Sequence, residues 1–228
     1  MISSGDDNEQ AVLSSWQQNA NAWQGLIERQ GIASRRVTDP AIVQAVLDLC
    51  PEQVLDVGCG EGWLCRTLSA HGIACLGVDG IDTLIQSARH QHPQGNYLCL
   101  DYDRFPGPLP STAFDLAVCN FSLFGKHSVE RLIASLIPLL HPGGHLLIQT
   151  LHPAITHQGD YREGWRNSDW QSLEGDFGPA PPWYFRPLAA WVALLQQHGL
   201  EVSLQEPLDP ANHQPLSLIL HGRVHKTG

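Results

Sequence analysis

Trp16, Ala20, Trp23 and Ile27 recur at three- and four-residue intervals, which predicts an amphipathic helix over residues 8 to 30. A second helix is expected from Thr38-Asp39-Pro40, with Asp39 as N-cap and Pro40 in the first helical position. Ile42, Val43, Val46, Leu47 and Cys50 give it a buried face. From there the pattern alternates. Apolar runs at 54–57, 74–78, 97–100, 115–119 and 146–149 read as strands, and helical periods fall at 62–71, 81–92 and 128–140. Gly72 is a natural C-cap, and Pro142-Gly143-Gly144 reads as a stop and turn. Continuously apolar strands separated by helices predict a parallel sheet covered on both faces, a doubly wound α/β domain.

Residues 152–187 break this rhythm with prolines, glycines and tryptophans in no clean period. So long an irregular segment is more often functional than idle. A final helix over 188–198, closed by Gly199, precedes strands at 200–205 and 216–220, which read as a terminal hairpin. Two regions are expected: N-terminal helices over 1–50 as a lid, and an α/β domain over 51–228 that carries 152–187 as an insertion.

Composition narrows the classes. The 228 residues hold 13 Lys+Arg against 23 Asp+Glu, a net charge of -10, and no basic run, which opposes nucleic acid and anionic membrane surfaces. No apolar window approaches the roughly 18 residues of a membrane span. MISSGDDNEQ carries no signal-peptide pattern, and the six cysteines form no CxxC, so a cytoplasmic protein is expected. His90/His92 and His152/His157 lack a matching carboxylate set, and no metal site is expected.

The most informative stretch is Val54-Leu55-Asp56-Val57-Gly58-Cys59-Gly60-Glu61-Gly62, a buried strand running into three alternate glycines and a helix. Glycine there admits positive φ and a close backbone approach to a ligand. The dinucleotide fingerprint requires GxGxxG, but position 63 is Trp63, and Glu61 would repel a pyrophosphate while tolerating a sulfonium. Asp79 closes the next strand, where a carboxylate can accept both ribose hydroxyls. Asp101-Tyr102 follows the third, suited to an adenine amino group and ring. An acid at a strand end also serves as an N-cap, so each alone has a structural alternative.

These motifs together resemble the class I S-adenosylmethionine-dependent methyltransferases of small-molecule type. The matching stretches are VLDVGCGEG (54–62), LGVD (76–79), LCLDYD (98–103), FDLAVCN (114–120) and LLHPGGHLLIQT (139–150), in the family's order. The resemblance implies a seven-stranded, mostly parallel sheet of order 3-2-1-4-5-7-6 with the last strand antiparallel. It implies that Asp56, Gly58, Gly60 and Gly62, with Cys59, cradle the methionine part of S-adenosyl-L-methionine. Asp79 and Gly80 would lie at the ribose, Asp101 and Tyr102 at adenine, and Asn120 near the sulfonium. Asn120-Phe121-Ser122-Leu123 departs from the Asn-Pro-Pro-aromatic signature of amino-group methylases of DNA and protein.

Beyond the common core, the resemblance implies an arginine from the stretch upstream of the glycine turn on the cofactor carboxylate, where bidentate pairing suits guanidinium: Arg35, or else Arg36. Trp16 and Trp23 read either as core anchors or as the underside of a lid near the sulfonium. The irregular segment carries His152, His157, Tyr161, Arg162, Trp165, Arg166, Trp170, Trp183, Tyr184, Phe185 and Arg186. Of these Tyr161, Trp165, Arg166 and Tyr184 are expected, with Trp16, to bind a small methyl acceptor, aromatic or carboxylate-bearing. His152 is the first candidate for a general base and His127 the second. Alternatives are a protein or RNA methylase of the same fold, a non-catalytic cofactor-binding regulator, and a nicotinamide oxidoreductase.

Overall fold

The computed structural model describes residues 4–225 apart from 112 and 172. Helices α1 (Ser4–Glu28) and α2 (Arg35–Leu47) come first. Strands β1 (Gln53–Val57), β2 (Ala74–Asp79), β3 (Asn96–Cys99), β4 (Phe114–Asn120) and β5 (Leu140–Thr150) follow, with α3 (Trp63–Ala70), α4 (Asp82–Gln91) and α5 (His127–Leu136) among them. After β5 come the short helix α6 (Pro153–Thr156), a ribbon of β6 (Gly164–Arg166) and β7 (Trp183–Phe185), and α7 (Leu188–Gln197). Strands β8 (Leu200–Gln205) and β9 (Leu218–Val224) end the fold.

The main sheet has the order β3-β2-β1-β4-β5-β9-β8. It is parallel as far as β5, and β9 runs antiparallel to both β5 and β8. This is the expected 3-2-1-4-5-7-6 arrangement once the separate β6–β7 ribbon is set aside. Burial follows the strand period of two. Leu55, Val57, Ala117, Cys119, Leu146 and Ile148 point to the face covered by α5 and α7, through Leu132, Ile133, Leu136, Trp191 and Leu195. Val54, Leu116, Val118 and Leu147 point to the other, against Ile42, Val46, Leu64 and Leu68 of α2 and α3.

Three local expectations are corrected. Helix α2 begins at Arg35, so Pro40 lies inside it rather than at its start. The upstream turn closes on its own bonds, Val37 and Thr38 N–H to the Ser34 carbonyl at 2.9 Å each, and an Arg35–Asp39 ion pair of 2.7 Å staples it. Pro-Gly-Gly at 142–144 does not stop the chain but sits within β5, where the register against β4 shifts between Phe114 and Leu116 and Gly143 takes φ 82°. A bulge absorbs what looked like a turn. Strand β9 runs later than expected, through His221-Gly222-Arg223, because these residues pair with β5 on one side and β8 on the other.

Sheet order reverses at β1, whose neighbours are β2 and β4. In open α/β sheets that switch point opens a crevice at the carboxyl ends of the strands. The loops after β1, β2, β3 and β4 converge there.

Candidate active site

The turn after β1 is laid across the end of β2: Gly58 and Cys59 N–H both donate to the Val78 carbonyl, at 2.7 and 3.0 Å. Gly58 has φ 75°, and a Cβ there would fall 2.3 Å from Ser122 Cβ and 2.6 Å from the Tyr102 hydroxyl. Only glycine fits. Gly60 differs: at φ 57° its missing Cβ would meet nothing within 4 Å. The space beside Gly60 is open cleft.

Asp79 ends β2 with one carboxylate oxygen accepting the Gly60 N–H at 2.9 Å and the other the Ile81 N–H at 2.8 Å. Burial pushes its pKa up to about 6, against those two hydrogen bonds. Asp56, at 1% exposure, is pushed by burial to about 7; the Cys65 thiol lowers it, while Asp79 and Glu61 raise it further. Burial also raises Glu61, although Arg66 pairs with it at 3.2 Å. Three carboxylates thus crowd one turn with their charge poorly compensated, an arrangement that favours a cationic ligand.

The cleft around this turn has a volume of about 740 Å³, within the roughly 300–1,000 Å³ of ligand sites. Of the eleven expected cofactor residues, nine line it: Arg35, Gly58, Cys59, Gly60, Asp79, Gly80, Asp101, Tyr102 and Asn120. Asp56 and Gly62 stand behind the wall, Asp56 next to the Cys65 thiol and Gly62 against Tyr97. Tyr102 donates to the Ser122 carbonyl at 3.2 Å, and Ser122 to the Val57 carbonyl at 2.7 Å, which joins the β1, β3 and β4 loops. Asp101 caps the turn over 102–104 by accepting the Asp103 N–H. Arg35, paired with Asp39, lies 4.9 Å over the Trp63 ring.

Helix α1 forms the far wall. Trp16 meets Trp23, Phe124 and Trp170 at centroid distances of 5.2, 5.4 and 5.9 Å, and Trp170 stacks on Phe177 at 4.9 Å. The helix is tied across the cleft to the insertion. Asn19, 1% exposed, accepts the Gly178 N–H at 2.7 Å and donates to the Pro179 carbonyl at 3.1 Å, which also accepts from Ser15 at 2.7 Å.

The other residues expected on the acceptor side fall elsewhere. Tyr161, Trp165, Arg166 and Tyr184 do not line this cleft. They hold the β6–β7 ribbon together: Trp165 packs edge-on to Tyr184 at 5.6 Å, Tyr161 edge-on to Phe185, and Arg166 over Phe185. The segment instead delivers Ser168, Asp169, Trp170, Leu173, Pro181 and Trp183. His152 also lies outside. Its Nδ1 accepts the Ala154 N–H at 3.2 Å and its Nε2 meets Glu206 at 2.8 Å, so it caps α6. His127 does reach the wall, with Nδ1 3.0 Å from Glu130. Phe121 and Phe124, lining residues that sequence reasoning passed over, sit in the loop just after Asn120 and were findable from that position.

A nucleoside sulfonium fits this set. Among the described residues, the buried side-chain polar atoms without a partner are Trp16 Nε1, Thr38 Oγ1, Asn120 Oδ1, Gln149 Oε1 and Trp170 Nε1. All but Gln149 belong to residues of the cleft wall. Orphaned groups cost about 1–3 kcal/mol each, and these four lie buried in the residues that form the cleft wall. Among the described residues, no group of three or more His, Cys, Asp or Glu is placed to hold a metal ion, and no helix is long and apolar enough to cross a membrane.

A sheet of this order with an acidic, glycine-rich crevice at its switch point defines a doubly wound α/β domain with a ligand site at the carboxyl ends of its strands. The chain matches the methyltransferase-domain family over residues 16–205 and belongs to it. It is 32% identical over 114 residues to a ubiquinone biosynthesis O-methyltransferase of Coxiella burnetii, covering 48% of each chain. It is 31% identical over 117 residues to a malonyl-[acyl-carrier protein] O-methyltransferase of Enterobacter lignolyticus, covering 51% of this chain and 45% of that one. The chain thus spans about half the length of these curated relatives. The fold of a Burkholderia thailandensis 1,6-didemethyltoxoflavin-N1-methyltransferase, solved with S-adenosylhomocysteine, superposes with TM-score 0.68 at 15% identity, over 99% of this chain and 92% of that one.

Proposed function

We propose that this methyltransferase acts on a small molecule, held beside the cofactor between α1 and residues 168–183. The observation that carries the reading is this wall. The Asn19–Gly178–Pro179 bonds and the Trp16–Trp170 contact join α1 to the insertion as one continuous side of the cleft, which favours a small acceptor over a folded macromolecule.

S-adenosylmethionine supplies a methyl group on a sulfonium, an electrophile already activated for in-line displacement. The residues here bind, align and exclude water. The Gly58–Gly60 turn gives the methionine part close access to backbone, and Glu61 with the Asp56 carboxylate behind it favours positive charge. Arg35 would hold the ligand's carboxylate end, Asp79 the ribose hydroxyls, and Asp101 with Tyr102 the adenine. Asn120 would stand at the boundary between cofactor and acceptor. His127 is the histidine on the wall, and any proton taken from an acceptor at that end has it within reach. The Glu61 carboxylate in the turn speaks against a nicotinamide pyrophosphate.

The test is to incubate the protein with methyl-labelled S-adenosylmethionine and bacterial lysate separated by size. Label should enter the low-mass fraction. Label confined to protein or RNA would contradict the reading.

A further inference from the structure

The acceptor end of the cleft has a chemistry of its own. Its wall is formed by the rings of Trp16, Trp23, Phe121, Phe124, Trp170 and Trp183. Trp16 stands at 89° to Trp23 and at 73° to Trp170, so the rings of this wall lie in more than one plane. Rings so placed suit a planar guest by stacking and edge contacts, and their electron-rich faces attract positive charge and repel negative.

The charges point the same way. The whole cleft is lined by seven carboxylates against two arginines and one histidine. Both arginines already have an acid, Arg35 with Asp39 at 2.7 Å and Arg131 with Asp103 at 2.5 Å, and His127 Nδ1 lies 3.0 Å from Glu130. Asp169, beside Trp170, has its Oδ1 on the Gln171 N–H and brings a further negative charge to the aromatic end. The single net positive charge of S-adenosylmethionine leaves the lined cleft negative.

We infer that the methyl acceptor is a planar aromatic or heteroaromatic molecule carrying no negative charge, neutral or cationic, and that the aromatic box with Asp169 excludes carboxylates and phosphates. The inference rests on the proposed small-molecule function and narrows it, since an anionic acceptor is here ruled against.

The test is calorimetric titration of the protein saturated with S-adenosylhomocysteine at pH 7.5. The probes are 6-hydroxyquinoline, naphthalene-2-carboxylate of similar size, and cyclohexylmethanol as a non-aromatic control. 6-Hydroxyquinoline should bind at least ten-fold tighter than either of the others. In Asp169→Lys, a change at an exposed position, its advantage over the carboxylate should shrink at least three-fold. Trp170→Leu should weaken 6-hydroxyquinoline binding while leaving cyclohexylmethanol unchanged. Equal or tighter binding of the carboxylate or the alcohol, no binding of any probe, or an Asp169→Lys ratio that does not move would overturn the inference. Binding of S-adenosylhomocysteine in the same cell separates the two levels. A protein that binds it without discriminating among the probes leaves the proposed function standing and removes this inference, whereas failure to bind it removes both.

Discussion

Glu9 and Arg186 grip opposite faces of one loop. The Glu9 carboxylate accepts the N–H groups of Lys126 at 2.8 Å and His127 at 2.7 Å, and the Ser128 hydroxyl at 2.6 Å. Arg186, 3% exposed, donates to the carbonyls of Gly125 and Lys126 at 2.9 Å each. One residue comes from α1 and the other follows β7, so α1 and the end of the insertion are both tied to the segment that opens α5. Glu9 also caps that helix, where a carboxylate satisfies orphan donors and meets the positive end of the dipole.

Removing either side of the grip should have distinct effects. Glu9→Ala should cost about 1 kcal/mol of stability as a lost cap and raise the apparent KM for acceptor more than it weakens S-adenosylhomocysteine binding. Arg186→Ala should cost more, about 3 kcal/mol, because two buried carbonyls lose their donors. Arg186→Lys should recover little, since an ammonium cannot reproduce the fork. Urea unfolding measures the order; equal losses in the two alanine variants would contradict it.

The two cleft glycines should separate stability from binding. Gly58→Ala drives a Cβ into Ser122 and Tyr102 and is expected to lower Tm by several degrees even without ligand. Gly60→Ala meets nothing within 4 Å and carries chiefly the left-handed backbone cost of roughly 1–2 kcal/mol. Its larger effect should be on cofactor affinity. Thermal melts with and without S-adenosylmethionine distinguish them, and a Gly60→Ala protein with native ligand-induced stabilisation would refute the contrast.

The buried Asp56 predicts a particular pH dependence. Burial raises its pKa from 3.8 to about 7. A carboxyl raised by folding lends stability that is full below about pH 4 and is lost as the pH climbs through 7. Asp56→Asn removes that titration. Its Tm relative to the native protein, both free of ligand, should therefore rise between pH 5 and pH 8. A difference that stays flat over that range would show that Asp56 is ionised throughout.

The parts of this account legible in the sequence were those with a period or a turn requirement. Strands β1, β2 and β4 alternate or run apolar, and the Gly58–Gly60 turn marks the crevice because few other residues tolerate its backbone. The aromatic wall of the cleft was not legible at residue level. Trp165 and Trp170 stand five residues apart in the same irregular segment, yet one packs on the ribbon and the other on the cleft. Their directions are set by three-residue strands and by the Asn19 tie to Gly178, neither of which leaves a repeating pattern. Glu9 escaped for a related reason: it caps a helix 118 residues downstream, and only the folded chain brings the two together. His152 was placed by its position after the fifth strand, but its Glu206 partner comes from beyond β8.

The central claim, that this crevice binds S-adenosylmethionine through Asp79, is tested most directly by calorimetric titration of S-adenosylhomocysteine into the native protein and Asp79→Asn. Native protein should bind in the micromolar range. The variant should bind about 30- to 100-fold more weakly, the equivalent of roughly 2–3 kcal/mol, with its thermal melt still cooperative and NADH giving no signal to either. Undetectable binding by the native protein, equal affinity in the variant, or a preference for NADH would contradict the account.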